Sequence, residues 1–146
     1  MPLSRRGLIL KSSASLGLAS LFVQAMTASA GPVESKKSSN STTLIDATAQ
    51  CMKTALLCIR HCQKELAQGN KIMAECQQSA LETVASCEAL QKLASYGSNH
   101  THDFAQLTAK VCADCAKICE KHIAHMEICK ACMEACKDCE KACLAA

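Results

Sequence analysis

The residues of this chain best equipped for chemistry are its thirteen cysteines, and their spacing says more than their number. Cys112, Cys115 and Cys119 run in steps of 3 and 4, and Cys129, Cys132, Cys136, Cys139 and Cys143 continue 3, 4, 3, 4. Cys51, Ala55, Cys58 and Cys62 run 4, 3, 4, while Cys76 and Cys87 stand eleven apart. On a helix such steps keep side chains on one stripe, the seam that faces partner helices in a bundle. The sulfurs are therefore expected to point inward and to stack along the bundle axis.

Three chemistries compete for them. Cysteine can pack as a small hydrophobe, which accounts for two or three positions but not for five in succession where Leu or Ile would fill space better. A disulfide framework is usual for cysteine-rich exported chains. Neighbours at i,i+3 and i,i+4, however, have Cβ atoms about 5–6 Å apart, against about 3.8 Å in a disulfide. An odd total also leaves one thiol unpaired. Metal is the third reading. The same spacing is too wide for S–S and suits two sulfurs on one ion, with metal–sulfur bonds of about 2.3 Å as in zinc thiolates.

Charge and ligand number choose the metal. Four thiolates on Zn²⁺ leave a net charge of about −2 per site, costly to repeat in a narrow core. Cu(I) is soft and takes thiolate and thioether ligands. One Cu(I) per thiolate, with sulfurs bridging, keeps the core neutral. The iron–sulfur run C-x₂-C-x₂-C-x₃-C-P is absent. All thirteen cysteines are thus candidate ligands for multiple Cu(I) ions.

The elements that must position them read as helices. From Leu44 onward there is no proline, and glycine occurs only at Gly69 and Gly97, the natural stops. One helix is predicted from about Thr43 to Gln68 and a second from about Lys71 to Tyr96. The remainder keeps one heptad phase through Thr108, Cys112, Cys115, Cys119, His122 and Met126, then loses a residue between Met126 and Cys132. A turn near His122–Met126 resolves the slip and gives four helices of similar length. The fold class is all-α, an antiparallel up-and-down four-helix bundle with a cysteine-lined core over residues 44–146.

That topology gathers different ligands at one end, where both hairpin turns lie. His61 and Met73 flank the first turn; His122, His125 and Met126 flank the second. Imidazole and thioether are neutral and bind copper more weakly than thiolate, which suits a mouth where ions enter and leave. His61, Met73, His122 and Met126 are candidate ligands, and His125 is a lesser one. Met73 and Met126 could equally be core filler, and His61 a surface neighbour of Arg60. His100 and His102 read as solvated cap residues, and Met52 and Met133 as packing.

Composition agrees. Hydrophobic residues make up 49% of the chain but aromatic ones only 2%, with no tryptophan, so bulky rings do not fill the interior. Residues 1–30 read as a twin-arginine signal peptide. Arg5-Arg6 is followed by Leu8, Ile9 and a short apolar run, and cleavage is expected after Ala30, or else after Ala25. That leader implies export to a periplasm or a comparable lumen, with the chain already folded. Residues 31–43 are polar and read as a flexible segment. Beyond residue 30 the chain carries 13 Lys/Arg against 13 Asp/Glu, and no basic patch interleaved with aromatics points to nucleic acid. No membrane span is expected after signal removal.

The stretch Cys112-x₂-Cys-x₃-Cys-Glu-Lys-His-x₂-His-x₃-Cys129-x₂-Cys-x₃-Cys-x₂-Cys-x₃-Cys143 resembles the copper storage proteins, Cys-rich four-helix bundles. The other cysteine sets and the leader extend the likeness to the exported branch of that family. The resemblance implies a homotetramer, Cu(I) on core cysteines, and His and Met ligands at the open end, where His61 and Met73 match best. It further implies supply of copper to an enzyme such as particulate methane monooxygenase. The expectation is a non-enzymatic store. Copper detoxification is the alternative, then a thiol–disulfide redox protein using pairs such as Cys112/Cys115, which no βαβ pattern supports. A di-iron bundle would need Glu-x-x-His pairs that are absent.

Overall fold

The structure, a computed structural model, describes residues 35–124 and 126–146, with side chains from residue 41 onward. The expected signal peptide, its cleavage site and His125 lie outside the described residues. Four helices follow one another: α1 (Ser35–Ala67), α2 (Met73–Ser95), α3 (Thr101–Glu120) and α4 (Glu127–Leu144). Each packs against two neighbours, α1 and α3 both lying against α2 and α4, while the diagonal pairs keep their backbones apart and meet only through side chains in the core, as Cys87 of α2 and Cys139 of α4 do. The result is the expected square, up-and-down bundle.

The stops work as the sequence predicts. Gly69 has φ +89° and Gly97 φ +65°, the left-handed conformation that costs other residues a Cβ clash. Around each, the chain folds back on the last helical carbonyls. Asn70 N–H donates to Glu65 O at 3.0 Å, and Ser98 N–H to Leu93 O at 3.0 Å. The third turn has no glycine. There Met126 is extended (φ −141°, ψ 94°) and α4 starts immediately after it, which absorbs the slipped residue in the heptad phase.

One boundary differs. α1 begins at Ser35 rather than near Thr43, so most of the polar segment 31–43 enters the first helix. After Pro32 that segment has neither proline nor glycine. Its Ser, Thr and Asn residues each cost only about half a kcal/mol of helix propensity, too little to end a helix anchored from Leu44 onward.

The seam residues form the core. Leu44, Thr48, Cys51, Ala55, Cys58 and Cys62 of α1 are all buried. So are Met73, Cys76, Ala80, Thr83, Cys87, Leu90 and Ala94 of α2, stepping 3, 4, 3, 4, 3, 4. The end away from the α1–α2 turn is apolar, with Leu44, Leu90, Ala94 and Ala105. Thr48, Thr83 and Thr108 are fully buried and satisfy their hydroxyls by donating to the carbonyls four residues back, at 2.9–3.0 Å. Among the described residues no aromatic ring is fully buried; Phe104 packs partly buried against the core and Tyr96 is 78% exposed. Met133 is buried and Met52 partly so, both as packing. His100 and His102 are exposed as expected, but His100 makes no side-chain cap bond, and His102 Nδ1 instead lies 3.1 Å from Ala146 O. No described helix is long and apolar enough to cross a membrane.

Candidate metal centre

Every one of the thirteen cysteines is fully buried, and none is in a disulfide. Seam register alone brings their sulfurs together across helices rather than along them. Sγ–Sγ separations are 3.6 Å for Cys58–Cys76, 3.7 Å for Cys51–Cys136, and 3.8 Å for Cys76–Cys119 and Cys87–Cys139. Cys87–Cys112 is 3.9 Å. Two arms of about 2.3 Å span about 4.6 Å when linear and about 4.0 Å at a trigonal angle. The observed gaps fit sulfurs that share an ion.

Four groups place all their sulfurs within 4.8 Å of one another. Cys51, Cys87, Cys112 and Cys139 draw one thiol from each helix. Cys58, Cys76 and Cys129 form a second group, Cys58, Cys119 and Cys132 a third, and Cys115, Cys132 and Cys136 a fourth. The first could hold a tetrahedral ion. The other three share Cys58 and Cys132, which separate closed sites cannot do but bridged Cu(I) thiolates can. Cys62 and Cys143 belong to no such group among the described residues, although both are buried on the same stripe.

The thiols hydrogen-bond one another, and acidity divides between acceptors and donors. Hydrogen bonds from Cys112 and Cys136 pull Cys51 down to about 6. Bonds from Cys58 and Cys76 pull Cys62 to about 4 and Cys129 to about 3, the latter helped by the His122 and His61 charges. Cys115, Cys132 and Cys139 are lowered by the same kind of contact. Their partners move the other way. Cys58, Cys112, Cys119, Cys136 and Cys143 are raised by thiol hydrogen bonds, with burial adding to it. Cys76 and Cys87 are raised too, although the largest single contact of each, with Cys119 and Cys112 respectively, pulls downward. Some of the thiols are thus ready ligands and the rest must release a proton to bind a cation.

The two hairpin turns do share one end. His61 Nε2 lies 3.2 Å from Met126 Sδ, and Cys129 Sγ donates to the same sulfur at 4.0 Å. A Lys121–Glu75 ion pair at 3.0 Å ties the two hairpins together there. His122 has a buried Nε2 with no hydrogen-bond partner among the described residues, as a nitrogen awaiting a ligand would. Met73 is fully buried in the core. Sequence reasoning did not single out Thr83, whose hydroxyl helps lower Cys115. Its signal was the eleven-residue gap between Cys76 and Cys87, which Ala80 and Thr83 fill in phase.

Comparison with known proteins agrees with this geometry. The family model described as copper storage protein matches residues 37–146. Apo copper storage protein 3 from Bacillus subtilis superposes with a TM-score of 0.64 at 27% identity, covering 72% of this chain and 96% of the other. The Cu(I)-bound form of the Bacillus subtilis protein gives 0.67 at 27% identity, over 73% and 96%. A copper storage protein from Streptomyces lividans, loaded with 10 copper equivalents, gives 0.68 at 26% identity, over 73% and 83%. No curated protein sequence matches the chain significantly.

Proposed function

The chain belongs to the copper storage protein family, and on that footing we propose that it holds many Cu(I) ions at once on its core thiolates, as a store rather than a catalyst. The observation that carries this is the sharing of Cys58 and Cys132 between thiol groups drawn from all four helices. A continuous column of bridging sulfurs accepts a run of monovalent ions, each balanced by one thiolate, without accumulating charge in the core. The Cu(I)-bound and copper-loaded relatives support the choice of ion.

Ions pass in and out at the end where His61, Met126, His122 and Met73 gather, and the thiolates below hold them more tightly. Cys112 and Cys115 are buried within α3, out of reach of a protein substrate, which disfavours the thiol–disulfide reading. Export rests on Arg5-Arg6 and the apolar run behind them. A homotetramer, and delivery to a copper enzyme such as particulate methane monooxygenase, rest on the likeness to the exported branch of the family. Anaerobic titration with Cu(I) against a chromophoric competitor tests the store. Saturation near one ion per cysteine is expected, and saturation after one or two ions would defeat it. Growth of a deletion strain after copper withdrawal separates storage from detoxification.

A further inference from the structure

At the end that carries the two turns, one contact chain runs from imidazole to a thiol pair. His61 Nε2 lies 3.2 Å from Met126 Sδ, and Met126 Sδ lies 4.0 Å from Cys129 Sγ. Cys129 belongs to one tight group with Cys58 and Cys76. Within it, Cys58 and Cys76 have their sulfurs 3.6 Å apart, on adjacent helices joined by a short turn. His122, with its unpartnered buried Nε2, is at the same end. Imidazole accepts Cu(II) as readily as Cu(I), whereas thiolate selects Cu(I). An outer shell of imidazoles over an inner pair of thiols therefore places an oxidised ion beside its reductant.

We propose that the metal-free protein reduces Cu(II) as it takes it up, with Cys58 and Cys76 supplying the electrons. This inference rests on the copper-storage reading, which assigns the same end to ion uptake. Each thiol gives up one proton and one electron. Two S–H bonds break, one S–S bond forms between Cys58 and Cys76, and two cupric ions become two cuprous ions. Two protons pass to solvent. No other co-reactant is needed. The second sulfur matters because the first one-electron step leaves a sulfur radical, and a thiol 3.6 Å away captures it. Reaching an S–S bond of about 2.05 Å asks the two side chains to close about 1.5 Å. The cuprous ions formed then meet the remaining thiols, while the cross-link closes the groups that Cys58 and Cys76 complete, so this route yields a partly filled store.

The test uses the full mature chain, reduced and metal-free under argon. Cupric sulfate is added, and cuprous ion is read with a Cu(I)-specific chromophore, alongside thiol titration and mass-spectrometric mapping. The expected result is a fast phase yielding one cuprous ion per thiol lost, with a Cys58–Cys76 cross-link as its product. The double variant Cys58→Ser/Cys76→Ser should slow that phase by about tenfold or more. In the parent protein the deeper pair Cys51 and Cys136, at 3.7 Å, should carry no cross-link after the fast phase. His61→Ala should also slow it. An unchanged rate in the double variant, or cuprous ion formed without the Cys58–Cys76 cross-link, would overturn the proposal. Anaerobic titration with Cu(I) itself, run in parallel, reports on storage independently, so that either reading can fail alone.

Discussion

Replacing Cys58 with alanine separates a column of shared thiolates from a set of independent sites. Cys58 belongs to two of the four thiol groups, and Cys143, equally buried, belongs to none. Removing the sulfur costs the fold little. The lost group is worth about 0.8 kcal/mol of burial, and a cavity of about 20 Å³ adds about 0.5 kcal/mol. A penalty of about 1–1.5 kcal/mol leaves a domain of this size folded, so the apo circular dichroism spectrum should match that of the parent. The copper count should not match. If each ion depended on one thiolate, either alanine would lower capacity by one. Because Cys58 closes two groups, Cys58→Ala is expected to lose about two ions, and Cys143→Ala at most about one. Anaerobic Cu(I) titration with a competing chelator, with capacity read per chain, decides it. Equal losses from Cys58→Ala and Cys143→Ala in folded proteins would refute the idea of shared sulfurs.

Four other outcomes follow from the same structure. Gly97→Ala meets no atom within 4 Å but must hold φ +65°; it should cost about 1 kcal/mol and lower Tm by about 4–8 °C without changing copper capacity. Ala80→Leu, at a fully buried seam position between Cys76 and Thr83, should cost about 1–3 kcal/mol by overpacking and also lower the copper count. Occupancy should rise with pH, because raised thiols such as Cys58 and Cys119 must lose a proton for each ion gained. The lowered thiols make apo stability rise with pH as well. Cys62, at about 4 in the fold, contributes stability that is complete above the ordinary thiol range and is lost as pH falls toward 4. Chemical denaturation of the apo protein across that window should show the decline.

Much of this architecture could be read from residue order, because period and interruption were both explicit. The 3,4 cysteine steps gave the buried stripe, Gly69 and Gly97 gave two turns, and the lost residue after Met126 gave the third. Placing both turns at one end followed from topology, and the His61–Met126 contact bears it out. The start of α1 could not be read, since Ser and Thr cap a helix or lie inside one with little difference in energy. Nor could the groupings. Which sulfur meets which depends on the relative heights of four helices, and no motif in the sequence states those heights. Thr83 is the clearest case, a hydroxyl in a cysteine's place whose effect on Cys115 appears only in three dimensions.

The lack of a fully buried aromatic ring among the described residues, Phe104 being only partly buried against the core, has an optical consequence. With no tryptophan and one tyrosine in the chain, and that Tyr96 ring facing solvent, the interior is nearly transparent in the near ultraviolet. Sulfur-to-metal charge-transfer bands would rise from a dark background, so filling of the column can be followed by absorbance on the unlabelled protein. Any near-ultraviolet ellipticity acquired on loading would then come from the metal–sulfur array itself.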